Sequence, residues 1–341
     1  MMQCLKELCS LEGVSGHEHP VRAYILQKLE ESPVPKTVTV DALGNVIVAL
    51  AGQKRAAKKV AFAAHMDEVG FMITGATSEG FLRFTTVGAL SDTVVFGKRV
   101  LVGGRVGVIG GKAVHHCSVE EKTTAPKAET LYIDVGVDTK EEALAVARPG
   151  DAAVFLSEPL AMGSAVKARA IDDRSGCALL LELAKEQPLY DMTLVFTVQE
   201  EVGLRGAKTA AFSVAPDLAV IIDATTACDC AGVPEEKEVC RQRKGGVVSF
   251  MDRATVYDAD LFRWITETCA KEGIPLQCKQ AATGGNDAGA FQSAGSGVRV
   301  AAVSLPARYI HSPSSVVTEE DMQAMVAFLK VAAARLPEGT V

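Results

Sequence analysis

The chain is short of several things, and each shortage excludes something. Its nine cysteines form no CxxC pair and leave an odd count, so they supply neither the paired thiols of a zinc ribbon nor a disulfide framework. No apolar run approaches the ~18–20 residues of a transmembrane helix. The opening MMQCLKELCSLEG has no basic n-region, long apolar h-region or cleavage site. These features set the expectation of a cytoplasmic protein in a reducing compartment with no membrane partner. Positive charge is in deficit: 35 Lys and Arg against 42 Asp and Glu leave a net −7, whereas a protein that grips a phosphate backbone needs a basic stripe. No nucleic-acid partner is expected, and the cluster Lys54, Arg55, Lys58 and Lys59 reads as a solvated turn.

What is present is ordinary globular material. Hydrophobic residues make up 48 % and charged residues 23 % of 341 positions, which excludes disordered and fibrous classes and leaves chain enough for about two domains. The segment PVRAYILQKLEE spaces Val21, Ile25 and Leu29 four apart behind Pro20 and predicts an amphipathic helix. TVTVDALGNVIVAL predicts two strands around a Gly-Asn turn, and VAFAAH a buried strand. After position 68 the texture changes to short β-rich runs broken by glycine, with one helix at TKEEALAVA. From about 166 helix and strand alternate again: DDRSGCALLLELAKEQ as helix, TLVFTVQ as strand, AAFSVAPD as connection, LAVIID as strand, DADLFRWITETCAKEG as helix, TGGNDAGAFQSAG as turn, VRVAAVSLP as strand, and a final helix opened by Thr318 and Asp321. The predicted fold is α/β, a mostly parallel sheet covered by helices on both faces, with an inserted small β-barrel-like domain. The expected division is 1–67 and 166–341 for the α/β domain and 68–165 for the insertion.

The candidate chemistry sits where the apolar runs stop. His65 ends one strand, with Asp67 two residues on. Glu200 and Glu201 follow a second strand, Asp223 a third, and His311 a fourth. Strands of a parallel sheet deliver their C-terminal ends to one edge, where ligands bind. Asp172 and Asp173 join them at the start of the helix that follows the insertion, where the helix dipole alone would also favour carboxylates. Two imidazoles and several carboxylates without a thiol suit zinc, cobalt or manganese in open, catalytic coordination. If one carboxylate bridges, two metals fit, the arrangement that polarises a carbonyl and generates hydroxide in aminopeptidases. Neighbours in a strand point to opposite faces, so Glu200 and Glu201 can serve one site only because their strand has ended, with Gly203 helping the chain turn. One can then bind metal while the other takes a proton from water.

The motifs HMDEVGF, IDDRSGC, QEEVGLRGA, IIDAT, GGNDAGA and RYIHSP, in this order, resemble the M42 family of metallo-aminopeptidases, which includes glutamyl and deblocking aminopeptidases and the tetrahedral TET particles. The resemblance runs from SGHEHPVR to VVTEEDM, almost the whole chain. It implies that His65, Asp172 and Asp223 hold one metal and Asp172, Glu201 and His311 the other, zinc or cobalt first and manganese next. It implies a cis Asp172–Asp173 peptide, Glu200 as general base, and Asp67 orienting the His65 imidazole. It further implies short peptides as substrates, and a homo-oligomer, dimeric or a tetrahedral dodecamer, assembled through the inserted domain. The sequence departs from the family pattern in TTACDCAG and in CRQRKGGVVSFMDRATVYDAD, which touch no expected ligand but put the side-chain preference in doubt. A carboxypeptidase or N-deacylase on a related scaffold would keep the metals and change the substrate, and a non-catalytic binding protein would have no reason to keep every ligand and a base. A glycosidase is disfavoured, since adjacent glutamates do not span the ~5–9.5 Å that flanks a sugar.

Overall fold

Four apolar runs form the centre of the molecule. In the computed structural model, which describes residues 1–339, Met192–Thr197, Val60–His65, Leu218–Thr226 and Arg299–Ala307 lie side by side, all parallel, within an eight-stranded sheet. Strands covered on both faces read as continuous apolar sequence, and all six residues of Val60–His65 are buried. The strand next to this group on each side runs the other way. Lys36–Val40 and Val46–Leu50 pair antiparallel on one side. On the other, Gly246–Val248 is antiparallel to Arg299–Ala307, with Leu276–Cys278 beyond it.

Alternation along the His65 strand divides the core in two. Val60, Phe62 and Ala64 pack with the helices Met2–Ser10, His19–Glu31, Ile171–Leu183, Ala259–Glu272 and Glu319–Arg335. Ala61 and Ala63 face Arg205–Val214 and Ala288–Gln292. Val21, Ile25 and Leu29 are all buried, as the four-residue spacing requires. Phe62 and Phe196, fully buried on central strands, each contribute on the order of 1.5–3 kcal/mol of transfer free energy. The fold is thus α/β, a mixed sheet parallel at its centre with helices on both faces.

Six strands between Gly70 and Phe155 close into a separate barrel. Its core is its own: Phe71 meets Phe84 and Phe155 edge-on at 5.2 and 5.1 Å between ring centroids. After the barrel, Leu160–Met162 and Ala165–Ala168 form a small sheet with Ser315–Thr318, beside the start of the last helix.

Two local expectations are corrected. AAFSVAPD is not simply a connection, because Arg205–Val214 is helical. Its buried face is made of Gly206, Ala207, Ala210 and Ala211, too small to give a recognisable apolar stripe, and its aromatic residue, Phe212, is 77 % exposed. The TGGNDAGAFQSAG turn contains the short helix Ala288–Gln292. Among the described residues no helix is long and apolar enough to cross a membrane.

Candidate active site

His65 is the last residue of its strand and is 3 % exposed. Its Nδ1 lies 3.2 Å from the Asp67 carbonyl oxygen and 3.4 Å from Asp67 Oδ1. A carbonyl can only accept, so Nδ1 carries a proton and Nε2 faces away, towards Asp172 Oδ1 at 3.1 Å and Asp223 Oδ1 at 3.8 Å. His311 is built the same way. Its Nδ1 lies 2.9 Å from the Ala89 carbonyl of the barrel segment, and its Nε2 is 3.3 Å from both Asp172 Oδ2 and Glu201 Oε1. Each imidazole therefore has its Nδ1 committed from behind and its Nε2 aimed into the same space, the pattern of metal-ligating histidine.

Asp172 lies between the two rings, one carboxylate oxygen towards each. The Asp172–Asp173 peptide is cis, and the two neighbours are used differently. Asp173 is fully buried, with Oδ1 accepting the Gly176 amide at 2.9 Å. A Cβ at position 176 would fall into that carboxylate, which accounts for the glycine of IDDRSG. Among the described residues, ligand atoms lie within 4.8 Å of one another in each of two groups: His65, Asp172 and Glu201, and His65, Asp173 and Asp223.

Asp223 does not end its strand, as LAVII followed by Asp suggested. Leu218–Thr226 continues three residues further, paired with Arg299–Ala307. Pairing with the His65 strand stops at Ile221 opposite Ala63, and Asp223 borders the gap so opened. Glu200 and Glu201 lie beyond Thr197 in a turn where Gln199 and Leu204 are left-handed and Gly203 has φ +114. Asp67, completely buried, holds this turn: Oδ1 accepts the Glu200 amide at 2.9 Å, and Oδ2 accepts the Glu201 amide at 3.1 Å and the Ser15 hydroxyl at 2.6 Å.

The protein groups alone carry a charge imbalance. Burial presses the Glu200, Asp223 and Asp173 carboxyls well above the usual range, and neighbouring carboxylates add to it. Glu201 is raised too, by burial. Burial would also raise Asp172, but its hydrogen bonds with His311 and His65 outweigh this and hold it well below the usual range. Burial opposes protonation of His311, yet Asp172 and Glu201 push it up to about 11. Glu201 Oε1 and Asp173 Oδ2 are buried without a hydrogen-bond partner. Buried carboxylate oxygens without a donor, beside imidazole nitrogens that can give up a proton, fit cations. The buried Cys177 thiol donates to the His65 carbonyl at 3.1 Å.

Fold and donor set together define the class: an α/β protein with a candidate metal site at the rim of its sheet. The model of the M42 glutamyl aminopeptidase family matches residues 44–328. The chain is 31 % identical to the glutamyl aminopeptidase of Lactococcus lactis, over 96 % of this chain and 94 % of that protein. It is also 31 % identical to the lysyl aminopeptidase of Pyrococcus furiosus, over 96 % and 95 %. Among solved structures it superposes on a TET1 peptidase of Pyrococcus horikoshii that can assemble into a tetrahedron or a large octahedral shell, with TM-score 0.86, 33 % identity, and coverage of 98 % and 99 %. The chain belongs to the M42 glutamyl aminopeptidase family.

Three polar residues in this region were given no part by the sequence reading. Ser15 and Glu18 lie in the quoted SGHEHPVR, and Asp287 in GGNDAGA. Asp287 is buried beside the strand end, where Oδ2 accepts the Thr197 hydroxyl at 2.5 Å and Oδ1 has no partner. Burial raises its carboxyl to about 6. Polar residues at such tight turns were the available signal.

Proposed function

We propose that the chain is a dinuclear metal-dependent aminopeptidase that removes N-terminal residues from short peptides. The observation that carries this reading is the placement of Asp172, whose two oxygens face the Nε2 atoms of two different imidazoles at 3.1 and 3.3 Å, as a bridging carboxylate must. His65, Asp172 and Asp223 would hold one cation and Asp172, Glu201 and His311 the other. Asp173 is the weaker candidate for the bridge because one of its oxygens is committed to the Gly176 amide. Zinc and cobalt suit this borderline nitrogen and oxygen set best, and manganese also fits. Divalent cations bound there supply the charge that polarises a scissile carbonyl and eases deprotonation of water.

The chain's own groups do the rest. Glu200 is the general base: a carboxylate oxygen takes the proton of the attacking water and returns it to the nitrogen of the leaving amine, so the peptide C–N bond breaks without net proton change. Its burial raises its proton affinity towards the range in which such a transfer is efficient. Asp67 holds the His65 ring and both glutamate amides and touches no substrate.

The proposed organisation places catalysis in 1–67 and 166–341 and assembly in 68–165. The barrel exposes Phe96, Val106 and Val108 at 47, 53 and 45 %, an apolar surface for a second copy of the chain. A homo-oligomer, dimeric or a tetrahedral dodecamer, follows by likeness to the TET1 peptidase. The departures from the family pattern flank the site: Asp229, in the loop after Asp223, makes a two-pronged pair with Arg308 at 2.7 and 2.8 Å, three residues before His311. This loop is the proposed determinant of side-chain preference.

The two adjacent glutamates provide the test. A general base contributes about 10² to 10⁴ in rate, so Glu200→Gln should lose that much kcat with metals retained. Glu201→Gln should weaken one metal and recover part of its activity in excess metal. Rescue of Glu200→Gln by metal, with Glu201→Gln inactive but fully loaded, would reverse the two roles.

A further inference from the structure

Behind the turn that carries the two glutamates lies the segment 14–18, which contributes no candidate ligand. Val14 bridges to Glu68, and the Glu68 amide donates to the Gly13 carbonyl at 3.0 Å. Glu18, 3 % exposed and immediately before the helix His19–Glu31, points back at the site. Its Oε1 accepts the amides of Gly16 at 2.7 Å and Gln199 at 3.1 Å. Since Asp67 accepts the next two amides, those of Glu200 and Glu201, three consecutive N–H groups end on two buried carboxylates.

The first of the three is the demanding one. Gln199 has φ +54, a left-handed conformation that a residue with a Cβ adopts against steric resistance. It sets the direction in which the chain leaves Val198 and so where the Glu200 side chain begins. The hydrogen bond from the Gln199 amide to Glu18 Oε1 holds this conformation, and Glu18 is itself fixed through Gly16 and the helix that follows.

We propose that Glu18 is a positioning residue for Glu200: by holding the Gln199 amide it fixes the left-handed turn that aims the general base, without touching substrate or metal. The proposal rests on the reading of Glu200 as base. Both amides end on a single oxygen, so geometry rather than charge is required, and a glutamine at position 18 can supply the same acceptor.

The test uses the full chain loaded with zinc or cobalt, comparing the parent with Glu18→Gln and Glu18→Ala. The measurements are kcat and KM on amino-acyl anilides, metal per chain, and amide hydrogen exchange of the peptide containing residues 199–201. Misplacing a reacting group by about 1 Å can lower rates by up to about 100-fold. Glu18→Ala is therefore expected to lose about 10- to 100-fold in kcat, with KM within about twofold, both metals retained and exchange at 199–201 faster. Glu18→Gln is expected to stay within about threefold of the parent, since its amide oxygen still accepts. An Ala variant with undiminished kcat overturns the proposal. So does loss of metal in step with kcat, or a Gln variant as impaired as the Ala variant. A loaded parent inactive on every amino-acyl substrate refutes the aminopeptidase reading itself and removes the basis of the proposal. In an active parent the variants alone decide.

Discussion

Asp67 is the residue whose change should be felt at most points of the site at once. Its Oδ1 faces the Glu200 amide and the His65 Nδ1, and its Oδ2 faces the Glu201 amide and the Ser15 hydroxyl. Asp67→Asn keeps the shape and exchanges one acceptor for a donor, so the new NH₂ must face one of these pairs. Turned to the Oδ1 position it opposes two N–H groups, Glu200 and His65. Turned to the Oδ2 position it opposes only the Glu201 amide, because the Ser15 hydroxyl can reverse and accept. The second orientation wins, leaving one buried amide unpaired, at about 1–3 kcal/mol. His65 then loses the carboxylate charge behind its ring, and weakened support of this kind costs about 10- to 100-fold in metal affinity. The expected result is a stability loss of about 1–3 kcal/mol in urea unfolding of the metal-free chain, together with a weaker metal titration. Unchanged stability and unchanged affinity in Asp67→Asn would refute this account of how the site is held.

Two further outcomes follow from groups away from the site. Asp258 caps the helix Ala259–Glu272 through the amides of Asp260 and Leu261, at 3.0 and 2.9 Å, and pairs with Arg299. The Arg299 hydrogen bond lowers its carboxyl below the usual value. A depressed folded value adds stability that is present above the unfolded value near 3.8 and lost as pH falls through the folded one. Asp258→Ala should thus cost about 1–2 kcal/mol at pH 7 and progressively less below about pH 4, and an equal difference at pH 7 and pH 3 would contradict it. On the barrel, Val106→Glu combined with Val108→Glu places two charges on one outward strand face, and light scattering should show smaller particles than the parent forms. An unchanged particle size would exclude that face from assembly.

Much of the candidate site was legible because a parallel sheet converts chain order into spatial neighbourhood. His65, Glu200, Glu201 and His311 follow apolar runs, and runs of one direction must end at one edge. Asp223 borders the same rim although its strand continues to Thr226, because the pairing of the neighbouring strand stops short of it. The supports were not legible. Ser15 reaches Asp67 across 52 positions and Glu18 reaches Gln199 across 181, and a hydrogen bond over such a separation leaves no periodic trace. The helix Arg205–Val214 was not legible for a different reason: its buried face is alanine and glycine, and a stripe of small residues carries little hydrophobic contrast.

The central claim is that the rim of the sheet holds two divalent cations and hydrolyses peptides with them. It is tested most directly by titrating chelator-stripped protein with zinc or cobalt while following hydrolysis of an amino-acyl anilide and metal bound per chain. The account predicts no turnover in the stripped protein, and full turnover when two equivalents are bound. Full activity in protein that elemental analysis shows to be free of transition metal would contradict it.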